Sequence, residues 1–303
     1  MADGPRSRSV LSTSDGTHLG HFGPTEWGLL AAAAGIWGSS FLFIAVGLDY
    51  LEPGLVTWLR ILLGAFGLSL APAAHRPVAR EDWPRLATIG VLWVAIPFTL
   101  FPLAQQTIDS SVAGMLNGAM PLFTAAIAAL LLWRRPPTRQ VVGLTIGFLG
   151  VVAISLPSLQ GADAAPGGVA LALLAVLCYS VAINLAVPVQ QQYGSLAVLL
   201  RVLLVAAVLT APYGLASIPG STFDWRAVGA MVVLGFFGTG VAFVAMTTLT
   251  GRVGAPRSSI AIYFTPIVAI VLGVVFRNET VAALAVAGTV LVLVGAWITS
   301  RGE

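Results

Sequence analysis

Ten long apolar segments make up most of the 303-residue chain and limit the folds that it can adopt. Each holds about 20 residues, which as an α-helix rising 1.5 Å per residue spans the ~30 Å hydrocarbon core of a bilayer. Membrane-barrel strands would instead alternate apolar and polar residues over about ten positions. The pattern therefore predicts an all-α polytopic membrane protein. Its ten transmembrane helices are predicted at residues 27–47, 53–72, 85–105, 112–133, 138–157, 168–188, 195–215, 227–248, 256–276 and 280–299.

The composition and the polar N-terminus support this assignment. Hydrophobic residues make up 57% of the chain and charged residues only 9%, whereas a soluble domain carries about 25% charged residues. Residues 1–26 are polar, rich in Ser and Gly, and lack the apolar core of a signal peptide. We therefore predict a disordered cytoplasmic tail over this stretch.

The distribution of the arginines predicts the orientation in the membrane. All 15 basic residues are arginine. If the N-terminus is cytoplasmic, eleven of them fall in cytoplasmic segments and two, Arg226 and Arg277, in external ones. Because basic residues favour cytoplasmic loops, both termini are predicted to be cytoplasmic. The arginine-only, Ala- and Gly-rich composition suggests a GC-rich bacterial genome, so the expected location is a bacterial inner membrane.

The two halves of the chain are related by an internal repeat. The stretch "LVTWLRILLGAF" at 55–66 superimposes on "LAVLLRVLLVAA" at 196–207, which places Arg60 on Arg201. Because each half contains five helices, an odd number, the second half must cross the membrane in the opposite direction. Inverted repeats are characteristic of secondary transporters, whose substrate site lies between the halves near the midplane. The two predicted repeats are residues 27–157 and 168–300.

Several motifs resemble the drug/metabolite transporter superfamily, and within it the ten-helix EamA-type permeases. They are "GIWGSSFLFIAVGL" at 35–48, "WLR" at 58–60, and a proline followed by spaced glycines in helices 4–5 and 9–10. The resemblance implies export or exchange of a small metabolite, often an amino acid, through a central cavity. Members often carry Glu after helices 4 and 9. Glu279 fits the second position, but Arg134 occupies the first.

Arg60 and Arg201 lie inside apolar segments, where a charge is expensive. Two interpretations remain open for them. Each lies close enough to a helix end for its long side chain to reach an interface or to serve packing. Alternatively, one or both face the cavity between the repeats and attract an anionic group such as a substrate carboxylate. Gly64 and Gly67 share a helix face with Arg60, which directs this arginine toward protein rather than lipid.

Polar and aromatic side chains within the apolar segments are the candidates for binding solute. A buried amide without a partner is costly, so such a group either bonds a neighbouring helix or lines a cavity. Trp37 and Tyr179 occupy matching positions in the two repeats and are expected near the membrane centre. The predicted cavity wall consists of Trp37, Ser40, Asn117, Tyr179, Asn184 and Tyr263.

Prolines and glycines suggest how the helices bend and pack. Pro121 and Pro266 are equivalent in the two repeats and are predicted as hinges, because proline removes a backbone hydrogen bond. We also expect Pro188 to end the regular backbone of the sixth helix. A small-residue face for close helix packing is predicted from Gly143, Gly147, Gly150, Gly288 and Gly295.

The residues exclude several other classes of function. The three histidines lie outside the apolar segments, and the helices contain neither paired carboxylates nor hydrolase or metalloprotease motifs. No enzymatic activity, metal, cofactor or nucleic-acid partner is therefore predicted. Proton-coupled pumps usually carry a buried acid or histidine, so its absence favours a facilitator or an exchanger.

The sequence thus predicts a secondary transporter that exports or exchanges a small polar or amphipathic metabolite, such as an amino acid, by alternating access. Its partners are this small-molecule solute and the lipid bilayer. One alternative is a carrier of nucleotide sugars or phosphorylated metabolites, which would need more cations in the cavity. Another is a membrane structural or lipid-handling protein without transport activity.

The predicted topology can be tested by single-cysteine labelling in a Cys178→Ser background. Ala162→Cys, in the loop between the repeats, should react with a membrane-impermeant maleimide in intact cells, because this loop is predicted to be external. Ser9→Cys, in the N-terminal tail, should react only after permeabilisation. The reverse pattern would refute the predicted orientation.

Overall fold

The computed structural model describes residues 17, 22–133, 137–160 and 166–300, and within these ranges ten helices follow the predicted order. Seven are long and apolar enough to cross a membrane, and three shorter apolar helices complete the set. The prediction of a ten-helix polytopic membrane protein is confirmed. The helices are α1 Pro24–Leu48, α2 Pro53–Ser69, α3 Arg80–Ala104, α4 Ser110–Leu131, α5 Thr138–Gln160, α6 Pro166–Tyr193, α7 Ser195–Ala216, α8 Trp225–Val253, α9 from Ala255 to Arg277 and α10 Ala283–Ser300.

Several helix ends differ from the prediction, among them the start of α1 and the end of α6. Helix α1 begins at Pro24, within the stretch assigned to the tail, because proline suits the first helical turn and the Glu26 carboxylate accepts a hydrogen bond from the Gly23 N–H (2.8 Å). Helix α6 continues through Pro188 to Tyr193. Beyond this proline, the Gln191 side chain donates to the Gly251 carbonyl (3.2 Å), which ties the last turn of α6 to α8.

The helices alternate in direction, so each helix of the second repeat runs opposite to its counterpart in the first. We call the end where α1 begins and α10 finishes the terminal end, and the opposite end the far end. An ion pair links α1 to the second repeat at each of them. Arg252 contacts Glu26 at the terminal end, and Arg277 contacts Asp49 at the far end (both 2.5 Å).

Helices α5 and α10 pack with their backbones in close contact. A Cβ atom added at Gly150 would lie 2.6 Å from both the Gly288 carbonyl oxygen and the Val292 amide nitrogen. One added at Gly295 would lie 2.5 Å from the backbone of Gly143. The predicted small-residue face is therefore confirmed. Glycine is required here because any side chain would force the two backbones apart.

In each repeat, the third and fourth helices depart from regular α-helical geometry. Helix α3 contains a π-helical stretch, Gly90–Ala95, and α8 contains a longer one, Val233–Val241. Helix α4 breaks between Asn117 and Met120, and α9 passes through a 3₁₀ segment, Ser259–Phe264, before Thr265. Short π segments are common at functional sites.

The two predicted hinge prolines lie directly after these breaks. Pro121 and Pro266 each occupy the first turn of the helix that resumes. Proline has no N–H to leave unpaired in a first helical turn, so the residue fits both positions. The motion that would use these breaks remains a prediction.

The α5–α10 contact generates a stability prediction. Gly150→Ala should lower the stability by about 1–3 kcal/mol, because the added methyl group meets backbone atoms that cannot rotate away. Gly35→Ala is the matched control. Its Cβ would meet no atom within 4 Å, so the better helix propensity of Ala should leave stability unchanged or up to about 1 kcal/mol higher. Thermal melting of the detergent-purified variants provides the measurement, and equal shifts would contradict the close contact.

Candidate solute-binding site between the repeats

A cavity lies between the two repeats, close to the middle of α1 and α6. It contains about 420 Å³ of empty space and is lined by side chains from seven helices, α1–α4, α6, α8 and α9. The first repeat contributes Trp37, Ser40, Phe41, Ile44, Arg60, Trp93, Phe101, Asn117 and Met120, and the second contributes Tyr179, Phe243 and Ile262.

Aromatic rings form most of the cavity wall and hold one another in place. Trp37 meets Phe243 edge to face, with ring centroids 4.8 Å apart, and Phe101 stacks on Tyr179 at 5.9 Å. The indole N–H of Trp37 donates to the Gly238 carbonyl (3.0 Å), in the π-helical part of α8. These contacts fix the orientation of the rings and make the wall predominantly apolar.

Arg60 brings a positive charge into this aromatic site. The residue is only 3% exposed. Its Nε donates to Thr239 Oγ1 (3.2 Å), and its guanidinium lies 3.6 Å from the centroid of the Phe98 ring. Neither contact neutralises the charge. Among the described residues that line the cavity, Arg60 alone carries a formal charge. Its two Nη groups have no hydrogen-bond acceptor among the described residues.

The close approach of α2 and α8 explains how a buried arginine reaches Thr239. Gly64 of α2 faces Thr239, and Gly235 of α8 faces the backbone of Arg60. Because neither glycine has a side chain, the two helices meet closely enough for this hydrogen bond to form. The predicted direction of Arg60, toward protein, is confirmed.

Asn117, in α4 of the first repeat, supplies a second polar group to the cavity wall. It is 4% exposed, lies at the break in α4 and lines the cavity. Its Oδ1 is buried and has no hydrogen-bond partner among the described residues. Ser40 also lines the cavity, while its hydroxyl donates to the Ile36 carbonyl (3.1 Å). A buried acceptor without a partner is costly, so Asn117 is suited to meet a ligand or water.

Five predicted site residues, Trp37, Ser40, Arg60, Asn117 and Tyr179, therefore meet at one cavity, and the structure places two others elsewhere. Asn184 is fully buried between α4 and α6, where its Nδ2 donates to the carbonyls of Thr124 (3.1 Å) and Ser180 (2.8 Å). Arg201 lies near the terminal end, and its guanidinium donates to the Ala74 (3.0 Å) and Arg76 (2.5 Å) carbonyls. It thus holds the loop between α2 and α3. The side chain of Tyr263 lies outside the described residues.

Sequence reasoning missed Phe98 and Thr239, which hold Arg60, and Trp93, Phe101 and Phe243, which complete the wall. Apolar aromatics in apolar helices give no periodic signal that separates a cavity from lipid. Thr239 could have been found from the sequence, because it lies in the glycine-rich "GFFGTG" stretch of α8. Glycines spaced along a helix indicate a close approach to a neighbouring helix. A polar residue among them is therefore a candidate partner for a buried arginine.

A second, larger space, which we call the vestibule, opens at the far end of the bundle. It contains about 1010 Å³ and is bordered by the Asp49–Arg277 ion pair, Glu52 and Gln105. Ile44 lines the central cavity, and the next residue of α1, Ala45, lines this vestibule, so the two spaces follow one another along α1.

Glu279 holds the start of α4 beside this vestibule. Its carboxylate accepts hydrogen bonds from the Ser110 N–H (3.0 Å), the Ser110 hydroxyl (2.5 Å) and the Ser111 N–H (2.9 Å). A carboxylate is favoured at a helix N-terminus, where backbone N–H groups lack partners. The equivalent residue in the first repeat, Arg134, lies outside the described residues.

Comparison with known proteins decides the family. The sequence profile of the EamA-like transporter family matches the chain twice, over residues 26–156 and 166–301. The chain belongs to the EamA-like transporter family. It is therefore a membrane-embedded transporter of small-molecule solutes, and the resemblance given by its motifs is confirmed.

Relatives of this EamA-like transporter extend along almost its whole length. A probable amino-acid metabolite efflux pump of Salmonella typhimurium is 27% identical, over 88% of this chain and 92% of its own. A probable terminal-alkyne amino-acid exporter of Streptantibioticus cattleyicolor is 25% identical, over 91% and 93%. A solved crystal structure with 19% identity shares the fold, with a TM-score of 0.67 over 90% of this chain and 96% of its own.

The buried position of Asn184 predicts that its substitution changes the stability of the protein and leaves its affinity for solute unchanged. Asn184→Ala should lower the stability of this EamA-like transporter by about 1–3 kcal/mol, because the Thr124 carbonyl loses its donor from α6. The KM of the remaining folded protein should not change. Thermal melting and the KM of solute counterflow in proteoliposomes measure the two effects. A raised KM at normal stability would place Asn184 on the solute path instead.

Proposed function

We propose that this protein is a secondary transporter that exports or exchanges an amino acid or a related amphipathic metabolite by alternating access. Arg60 carries the proposal, because an arginine that is 3% exposed and has no acidic partner in its cavity requires a compensating anion. A solute carboxylate supplies that anion. The names of the relatives in Salmonella typhimurium and Streptantibioticus cattleyicolor support a solute of the amino-acid class.

The remaining walls fit the body of such a solute. Trp37, Tyr179 and Phe243 offer apolar ring surface to a side chain, and Asn117 offers a hydrogen bond near the break in α4. A nucleotide sugar or phosphorylated metabolite carries two or more negative charges. Among the described residues that line the cavity, Arg60 is the one cation, which favours a monocarboxylate over those solutes.

The two ends of the bundle support alternating access. The vestibule at the far end leads toward the cavity, while Arg252–Glu26 and the Gln191–Gly251 hydrogen bond join helices at the terminal end. Reopening at the terminal end would break these contacts and bend α4 and α9 at Pro121 and Pro266. With the topology predicted from the arginines, the far end faces outward from a bacterial inner membrane, and both termini are cytoplasmic.

Substitution of Arg60 tests the proposal in proteoliposomes. Counterflow of a radiolabelled carboxylate solute, found by screening amino acids and their derivatives, should lose about 2 kcal/mol or more of binding free energy in Arg60→Met. Arg60→Lys should retain part of the affinity, because it keeps the charge but not the planar guanidinium.

Arg201→Met is the matched control, since it removes the repeat-related arginine without touching the cavity. It should lower stability, because two loop carbonyls lose their donor, and leave the KM of the folded fraction unchanged. Normal affinity in folded Arg60→Met would contradict the proposed role of the cavity arginine.

A further inference from the structure

The charges that line the central cavity indicate which net charge its solute carries. Resting on the function proposed above, we infer that this transporter selects monoanionic carboxylates whose nitrogen, if present, is uncharged, over zwitterionic amino acids. The solute class is a monocarboxylate with an apolar body and a neutral N–H or O–H donor. N-acylated amino acids with apolar side chains are one example.

The first argument is that none of the described residues that line the cavity is acidic. On α1, the nearest carboxylates are Glu26 and Asp49 at the two ends of the helix. At 1.5 Å per residue Glu26 lies about 16 Å along the axis from Trp37, and Asp49 lies about 7–8 Å from Ile44, which also lines the cavity. Both are already paired, with Arg252 and Arg277. The ammonium group of an amino acid would therefore find no counter-charge beside Arg60.

The second argument is that the loaded cavity is neutral only with a monoanion. A carboxylate neutralises Arg60, whereas a zwitterion leaves one positive charge uncompensated between apolar walls. An unpaired charge at such a site is strongly disfavoured, because it loses hydration and gains no partner. A monoanion avoids this penalty.

The third argument concerns the aromatic rings, which can otherwise hold an ammonium over their faces. The Phe98 face is already occupied by the Arg60 guanidinium at 3.6 Å. Trp37 packs against Phe243, and Phe101 stacks on Tyr179. Phe98 therefore already holds one cation, and the rings of the two pairs share part of their surface with each other.

The fourth argument is the type of polar partner that the cavity offers. Asn117 Oδ1 is a buried neutral acceptor without a partner. A neutral acceptor can satisfy an amide N–H or a hydroxyl completely, but it leaves the charge of an ammonium group in place. Arg60 and Asn117 together match a solute with one anionic group and one neutral donor.

Three probes that share one ring test the inference on the purified full-length protein. N-acetyl-L-phenylalanine is a monoanion with a neutral N–H, 3-phenylpropionate is a monoanion without it, and L-phenylalanine is a zwitterion. Each is measured by ligand-dependent thermal shift and by counterflow in proteoliposomes. N-acetyl-L-phenylalanine should bind at least about tenfold more tightly than L-phenylalanine, and 3-phenylpropionate should lie between them.

Two variants of Asn117 separate charge from hydrogen bonding. Asn117→Leu should abolish the advantage of N-acetyl-L-phenylalanine over 3-phenylpropionate, because the acceptor for the amide N–H is removed. Asn117→Asp, which is almost the same size, places a carboxylate in the cavity and should reverse the preference toward L-phenylalanine. Melting curves without ligand establish that both variants are folded.

The inference is overturned if the wild-type protein binds and exchanges L-phenylalanine as tightly as the monoanions. The proposed transport function stands in that case, because a carboxylate solute is still carried. If the folded wild-type protein exchanges none of the three probes, the inference and the proposed cavity role of Arg60 both fail.

Discussion

The interior of a bilayer contains no water to satisfy a polar group, and this constraint governs how the protein is built. Irregular backbone at membrane depth is stable only where protein covers it. The π-helical stretch of α8 meets this condition, because Trp37 donates to its Gly238 carbonyl and Thr239 donates to the Leu234 carbonyl (3.1 Å). Arg60 then bonds the same threonine. The irregular helix and the buried charge therefore stabilise each other at one place.

Duplication produced two similar halves, and the cavity depends on how they diverged. Arg60 and Arg201 occupy equivalent positions, yet Arg60 lies in the cavity while Arg201 donates to loop carbonyls near the terminal end. Trp37 and Tyr179 are also equivalent, and both line the cavity. The repeat thus retains the aromatic wall on both sides but presents its charge on one side only. The described lining of the cavity is therefore asymmetric in charge.

Much of the fold could be predicted from hydropathy and repeat spacing, since each apolar segment must form a helix and an odd number of helices inverts the second half. The direction of Arg60 was also predictable, because Gly64 and Gly67 share its helix face. The roles of Asn117 and Asn184 were not. Both are amides within apolar helices, and both have a buried Oδ1 without a hydrogen-bond partner among the described residues. Only the structure shows that Asn184 Nδ2 bonds the Thr124 carbonyl, whereas Asn117 lines the cavity. Sequence patterns locate a polar side chain on a helix but not the carbonyl that faces it.

The contact between α5 and α10 has a mechanical consequence. Two backbones that touch at Gly150 and Gly288 cannot slide past each other, since each turn of one helix blocks the next turn of the other. They can still rotate slightly about their line of contact. Because α5 belongs to the first repeat and α10 to the second, that line joins the two halves along one edge of the molecule. A small rotation about the glycines would displace the cavity walls, which lie farther from that line, by a larger amount.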